Sequence, residues 1–314
     1  MNKTMKKGKK CKRKMTKKNY KQIANKLKSI SKEEIQNDYT KLKEITCKQI
    51  SKIGNRSRIG NTVVDAYTLE ERLHAKGDQG VSFYDFWNCR DYYSKKEYVR
   101  KMLDFYKRRN TTEIRKYRYT YNLYFSNIAI FSPLRAMDIY CKTNARRVLD
   151  FTMGWGGRLV GGCAYGLEMY YGVDINVHLK KPYKKMVDFL KSDEDNKTKI
   201  QLKFEDALKV DYSKMDYDTV LTSPPYYNIE VYRKSEGKYK SKEDWNNNFY
   251  KPLFSKTFKH LKNGGKYCLN VPVEIYETVC VPLLGKSNKK YHLKKEQRIK
   301  GKSNYKEYVY CWYK

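Results

Sequence analysis

The stretch Arg147-Val148-Leu149-Asp150-Phe151-Thr152-Met153-Gly154-Trp155-Gly156-Gly157-Arg158-Leu159 reads as a short apolar strand, a glycine-bearing turn and the start of a helix. Asp150 stands at the head of the turn, and the glycines let the backbone bend sharply and approach a ligand. The spacing fails the G-x-G-x-x-G/A fingerprint of dinucleotide sites, because Leu159 occupies its last small position. A carboxylate ahead of the glycines suits a pyrophosphate poorly, since both are anionic. It suits a ligand that carries an ammonium group.

Working outward, β-branched runs at Arg147–Phe151, Met169–Asp174, Lys199–Lys203, Asp218–Ser223 and Lys266–Val271 read as five strands. Helical candidates at Leu159–Gly166, His178–Lys191 and Lys242–Lys262 alternate with them. The alternation predicts an α/β fold with a doubly wound, mostly parallel sheet. Tyr291–Leu293 and Glu307–Tyr313 would close it as a C-terminal antiparallel hairpin. Such sheets bind ligands beyond the carboxyl ends of their strands, where the strand order reverses. Asp174, with Ile175 beside it, ends the second strand and is placed to accept from two ribose hydroxyls. Asp206 follows the third strand and is placed to accept from an adenine amino group. Phe151, Thr152, Gly154 and Gly156 belong to the first turn. S-adenosylmethionine, cationic at sulfur and amine with adenosine at its far end, matches this set.

The fourth strand ends in Ser223-Pro224-Pro225-Tyr226-Tyr227. Two prolines fix φ and remove two backbone donors, leaving a stiff corner whose carbonyls serve as acceptors. The Ser223 hydroxyl and the Pro224 carbonyl are suited to receive an exocyclic –NH2 group. Tyr226 offers a ring on which an extruded base can stack. The loop Asn228–Lys242, with Tyr232, Arg233 and Lys234, is a further candidate for substrate contact alongside Tyr227.

The pairing of Asp150–Arg158 with Ser223–Tyr226 resembles the amino-methyltransferase family that modifies exocyclic amines in DNA. That family carries a [D/N/S]-P-P-[Y/F/W] tetrapeptide, its Ser form typical of cytosine-N4 enzymes and its Asp or Asn form of adenine-N6 enzymes. Phe131, Ser132 and Pro133 resemble its additional motif, which closes over the methionine end of the cofactor. The resemblance implies a Rossmann-like class I methyltransferase domain over residues 126–314 and direct in-line methyl transfer to a flipped DNA base, cytosine N4 first. Adenine N6, an RNA amine, or a catalytically inactive nucleic-acid-binding protein are the alternatives. A Pro-Cys nucleophile of the cytosine-C5 type is absent from the sequence. The residues between the two motifs and after the second are expected to be used up by the sheet, leaving no separate target-recognition domain of the kind usual in restriction-system enzymes there, which directs attention to the N-terminal part.

Residues 1–20 form a basic block without one acidic residue, expected to be a disordered tail. Residues 21–125 are expected to be a helical, basic and aromatic substrate-binding extension. Within it Ser31 and Glu34 read as a capping box, and a helix is expected over Lys96–Arg108. The 314-residue chain has 68 Lys+Arg against 34 Asp+Glu, a net charge of +34. Residues 148–250, which hold both motifs, carry 16 basic and 16 acidic residues, so the excess lies in the flanks. Flanking cations around a neutral reaction centre suit a nucleic-acid partner, DNA first. There is no apolar run long enough for a membrane span and no apolar stretch of a secretory signal, so an intracellular protein is expected. Eight scattered Cys without a CxxC pair read as free thiols, and four isolated His argue against a metal centre.

Overall fold

The computed structural model describes residues 15–53, 57–77, 79–125, 128–227, 239–297 and 305–314. Most of the basic tail and the candidates Tyr232, Arg233 and Lys234 lie outside the described residues. The chain forms two compact units, Met1–Ser29 with Glu70–Ile128, and Ile30–Leu69 with Ala129–Lys314. Ile30–Leu69, read from the sequence as part of the helical extension, belongs to the second unit.

The first unit is helical, with Lys17–Lys28, Phe83–Asn88, Arg90–Tyr93, Glu97–Arg108 and Glu113–Tyr124. Its core is aromatic: Phe86 packs on Phe125 with ring centroids 4.8 Å apart, and Trp87 meets Tyr117 edge-on at 5.4 Å. The Tyr121 hydroxyl, buried among these rings, donates to the Val81 carbonyl at 2.8 Å, so burying it leaves no orphaned donor.

The second unit is built on a seven-stranded sheet. Its strands are β1 (Arg147–Asp150), β2 (Met169–Val173), β3 (Lys199–Lys203), β4 (Thr219–Thr222), β5 (Lys266–Asn270), β6 (Lys289–Gln297) and β7 (Tyr305–Tyr313). Their order is β3-β2-β1-β4-β5-β7-β6. The first five are parallel, with Asp150 opposite Gly172 and Val148 opposite Thr219. β7 runs antiparallel to both β5 and β6, which makes the expected C-terminal hairpin. β4 is buried at every position, as a central parallel strand covered on both faces must be. The order reverses between β1 and β4, and a Rossmann-like sheet opens its ligand crevice there.

Three features depart from the sequence reading. The expected helix Lys242–Lys262 is divided into Lys242–Trp245, a wider π-helical turn Asn246–Tyr250, and Lys251–Lys259. A second π-turn, Tyr276–Cys280, precedes Val281–Leu284. Both stand just before a proline, Pro252 and Pro282, whose ring clashes with the carbonyl four residues back in an α-helix. The wider turn accommodates that clash.

Within the second unit, Ile30–Leu69 packs on the rest through one face of the helix Lys32–Lys43, where Ile35, Tyr39 and Leu42 are buried. Tyr39 meets Phe189 edge-on at 5.7 Å, and the Lys43 ammonium pairs with Asp193 at 2.7 Å. The Ser31–Glu34 capping box starts this helix as expected. Finally, Cys47 and Cys141 form a disulfide, so the free-thiol reading fails for these two of the eight. The partners lie 94 residues apart, a pairing that no local spacing announces.

Candidate active site

A cavity lies at the carboxyl edge of the parallel strands. The turn after β1 contributes Phe151, Thr152 and Gly154, and the end of β2 contributes Asp174 and Ile175. Asp206 follows β3, while Ser223 and Pro225 follow β4. Trp245 and Phe249, on the interrupted helix, add to the lining together with Tyr239 and Leu179. Eight of the residues selected from sequence are thus brought together. Tyr239, Trp245 and Phe249 were not selected, although Trp245 and Phe249 stand four apart, the spacing that places two side chains on one helical face.

Asp174 is held by the backbone on both sides. Gly154 N–H donates to Oδ2 and Asn176 N–H to Oδ1, each at 2.8 Å. Gly154 adopts φ +56, which a side chain would disfavour, and this turn is what aims its N–H at the carboxylate. Burial pushes the Asp174 carboxyl up to about 6, against the pull of the two N–H groups. A ligand that donates hydroxyls to Asp174 favours its charged form. Affinity for such a ligand is therefore expected to be level near neutral pH and to fall as pH drops through about 6. Calorimetric titration at several pH values checks this, and a flat profile would count against Asp174 as the acceptor.

Asp150 is placed differently from the expectation. It is fully buried and does not line the cavity. Arg158 Nε donates to its Oδ2 at 2.7 Å, Tyr170 OH to the same oxygen at 2.6 Å, and Thr222 Oγ1 to Oδ1 at 2.8 Å. A carboxylate with three internal donors is committed to the protein rather than to a ligand's ammonium group. Burial works against the Arg158 charge, but Asp150 more than offsets it and holds the guanidinium above its ordinary pKa. The guanidinium also donates to the Thr152 carbonyl and lies 5.1 Å from the Phe131 ring centre. The pair therefore braces the cavity turn from beneath.

Phe131, Ser132 and Pro133 likewise stand outside the cavity lining, Pro133 opening the helix Pro133–Thr143. Gly156 is a packing glycine: a Cβ there would lie 2.8 Å from the Met186 side chain, at φ +94.

The Ser-Pro-Pro-Tyr corner is organised by two residues that the sequence did not single out. Asn270, the last residue of β5 and 2 % exposed, accepts at Oδ1 from Ser223 Oγ at 3.1 Å and from Tyr226 OH at 2.8 Å. Its Nδ2 donates to the Tyr308 carbonyl at 2.9 Å, which fixes the amide's orientation. Tyr250, on the first π-turn, donates its hydroxyl to the Pro225 carbonyl at 2.6 Å and accepts from Tyr227 N–H at 3.0 Å. Tyr227 sits at φ +52 and is buried, its hydroxyl on Asn246 Oδ1 at 3.2 Å. It is a structural anchor, not the substrate contact expected. Pro224 is buried, and Tyr226 is half-buried with its hydroxyl tethered.

No family model matches the chain, and no curated protein matches it. Solved structures do show likeness. TrmN from Thermus thermophilus aligns at 15 % identity and a TM-score of 0.39, over 57 % of this chain and 48 % of TrmN. An rRNA methylase from Streptococcus thermophilus aligns at 14 % and 0.37, over 59 % of this chain and 99 % of that one. aTrm5, in a complex with tRNALeu, aligns at 17 % and 0.37, over 60 % and 49 %. This chain thus spans about half the length of TrmN and of aTrm5. At such scores the likenesses assign neither an activity nor a substrate. Among the described residues, no group of His, Cys, Asp or Glu is placed to hold a metal ion, and no helix is long and apolar enough to cross a membrane.

Proposed function

We propose that this chain is an S-adenosylmethionine-dependent methyltransferase acting on an exocyclic amine of a nucleic-acid base. One observation carries the reading: Asp174, Asp206 and Ser223, which follow β2, β3 and β4, line a single cavity at the switch point of the sheet. The donor set fits the cofactor. Asp174 keeps a lone pair on each oxygen for a ribose diol, and Asp206, whose Oδ1 accepts from Leu208 N–H at 3.1 Å, lines the same cavity on the side of an adenine amine. Ile175, Leu179, Trp245 and Phe249 offer apolar faces to the adenine ring. When bound, S-adenosylmethionine supplies a methyl group for in-line transfer from sulfonium to amine nitrogen.

The chain's own residues orient the amine. Because the Ser223 hydroxyl donates to Asn270, its oxygen lone pairs face outward as acceptors for an amine N–H. Accepting that hydrogen bond draws the nitrogen lone pair out of conjugation with the base. Catalysis rests on positioning and electrostatics, and the product amine releases its proton to solvent.

Labelled cofactor supplied with RNA, single-stranded DNA and duplex DNA, followed by nucleoside mass spectrometry, tests the reading. The Ser form of the tetrapeptide favours cytosine N4 of DNA. RNA, the polymer of the rRNA methylase and aTrm5 structures, is the second reading, and adenine N6 the third. Ser223→Ala is expected to reduce transfer by about 10²-fold or more. Full activity in both Ser223→Ala and Tyr226→Ala, or no thermal shift with the cofactor, would overturn the assignment. Asn270→Leu removes the tether of both side chains. It is expected to lower kcat by about 10²-fold while cofactor affinity changes by less than about twofold, as single-turnover kinetics and calorimetry will read.

A further inference from the structure

Among the described residues seven large hydrophobic side chains are exposed, and four of them lie in one segment of the first unit: Tyr92, Tyr98, Tyr119 and Leu123. Tyr92 is 55 % and Tyr119 44 % exposed, in a unit whose other aromatics are largely packed together. A tyrosine with its ring in water forgoes burial worth roughly 1.5–3 kcal/mol for a large side chain. Three such rings in 28 residues therefore constitute a feature, whereas scattered single ones would not.

Tyr98 and Tyr119 stand on the helix pair Glu97–Arg108 and Glu113–Tyr124, and Tyr92 on the short helix Arg90–Tyr93 before it. Tyr98 pairs with Tyr124 at 4.8 Å between centroids, and Tyr106 pairs with Tyr119 at 5.2 Å. Tyr98 and Tyr106 are eight residues apart on one helix, a rise of about 12 Å between these two members of the pairs. Lys96 holds its ammonium 5.6 Å from the Tyr92 ring, 5.5 Å from Tyr93 and 6.0 Å from Tyr98. At the other end the Arg109 guanidinium lies 4.5 Å from the Phe105 ring. Residues 90–125 contain eleven Lys and Arg against four Asp and Glu. Cations beside exposed ring faces are the pairing a polynucleotide needs, phosphate on the charge and base on the ring.

We infer that this face of the first unit is a binding surface for single-stranded nucleic acid, with Tyr92, Tyr98 and Tyr119 as stacking platforms and Lys96 and Arg109 as phosphate contacts. A duplex keeps its base faces stacked internally and would use the charges alone. The unstacked bases of a single strand use both. The inference rests on the nucleic-acid reading above and sharpens it by naming the strand form and the residues that grip it.

Fluorescence anisotropy with the full chain tests it, using a labelled mixed-sequence single strand of RNA or DNA and a duplex of equal length. The wild-type protein is expected to bind single strands at least about 10-fold more tightly than duplex. Tyr92→Ala, Tyr98→Ala and Tyr119→Ala should each weaken single-strand binding by about 10-fold. Duplex binding and the cofactor-induced thermal shift should stay at wild-type values. Tyr→Phe at the same positions, which keeps the ring, should restore binding. Lys96→Gln should flatten the salt dependence for both polymers. Equal affinity for duplex and single strand, or Ala variants that bind as the wild type does, overturns the surface while leaving the proposed methyl transfer standing. Failure of the wild-type protein to bind any nucleic acid, with its cofactor shift intact, overturns the surface and the nucleic-acid substrate together.

Discussion

Arg158→Met is expected to lower the stability of the second unit by about 3–5 kcal/mol, the cost of leaving one partner of a buried ion pair uncompensated. Asp150 is fully buried and Arg158 is 4 % exposed, so solvent screens neither charge. In the variant the Asp150 carboxylate keeps the Tyr170 and Thr222 hydroxyls but has no counter-charge. Three of the four tryptophans, Trp155, Trp245 and Trp312, belong to this unit, so fluorescence-detected urea unfolding reports on it. The double variant Asp150→Asn/Arg158→Met should recover much of the loss, because it removes the stranded charge as well. A double variant as unstable as the single one would show that the packing of Arg158, and not its charge, is what matters. Arg158 also donates to the Thr152 carbonyl, and Thr152 lines the cavity. The single variant should therefore bind cofactor more weakly even under conditions where it remains folded.

Asp174→Asn should abolish cofactor binding while leaving the fold intact, with an affinity loss of about 10²-fold or more. Hydrogen bonds to a charged acceptor are each worth about 1.5–3 kcal/mol, and a ribose diol would make two of them. The amide adds a second penalty. One of its ends becomes a donor and must face either Gly154 N–H or Asn176 N–H, both of which now donate to the carboxylate. Calorimetric titration of S-adenosylmethionine and of its demethylated product measures the loss. Removing the charge also removes the cost of burying it, which is what raises the Asp174 carboxyl to about 6. The wild-type group carries a proton in the folded state between its ordinary value and about 6 and must give it up as pH rises, so its contribution to stability declines through that window. At neutral pH this gain works against the amide's donor–donor contact, so the Asn variant should melt close to wild type. A variant that lost both binding and fold would instead make Asp174 a structural residue.

Much of the site was legible because its residues follow directly on their strands. Asp174 and Asp206 stand just past β2 and β3, and Ser223 just past β4, so locating the strands was enough to place all three at one edge. The alternation of β-branched runs with helical stretches located those strands to within a residue or two of their observed ends. The same reasoning misplaced Asp150, which also ends a strand, because it could not see Arg158 turning back from the next helix to claim the carboxylate. It passed over Asn270 for a related reason. An asparagine closing a strand looks like any turn residue until β5 lies beside β4 and brings its amide to Ser223 and Tyr226.

What the sequence determined by itself is therefore the local order: strand, turn, carboxylate, helix, repeated until a Ser-Pro-Pro-Tyr corner ends the fourth strand. Periodicity and turn chemistry act over a few residues, and those features need no more. Tertiary structure alone decided which polar groups are committed internally and which remain available to a ligand. Asp150 with Arg158, Ser223 with Asn270, Tyr250 with the Pro225 carbonyl, Cys47 with Cys141, and the packing of Ile30–Leu69 within the second unit each depend on side chains meeting after the chain has folded. A carboxylate's partners are set by what burial brings beside it, and that information lies in the packing of distant segments rather than in any one of them.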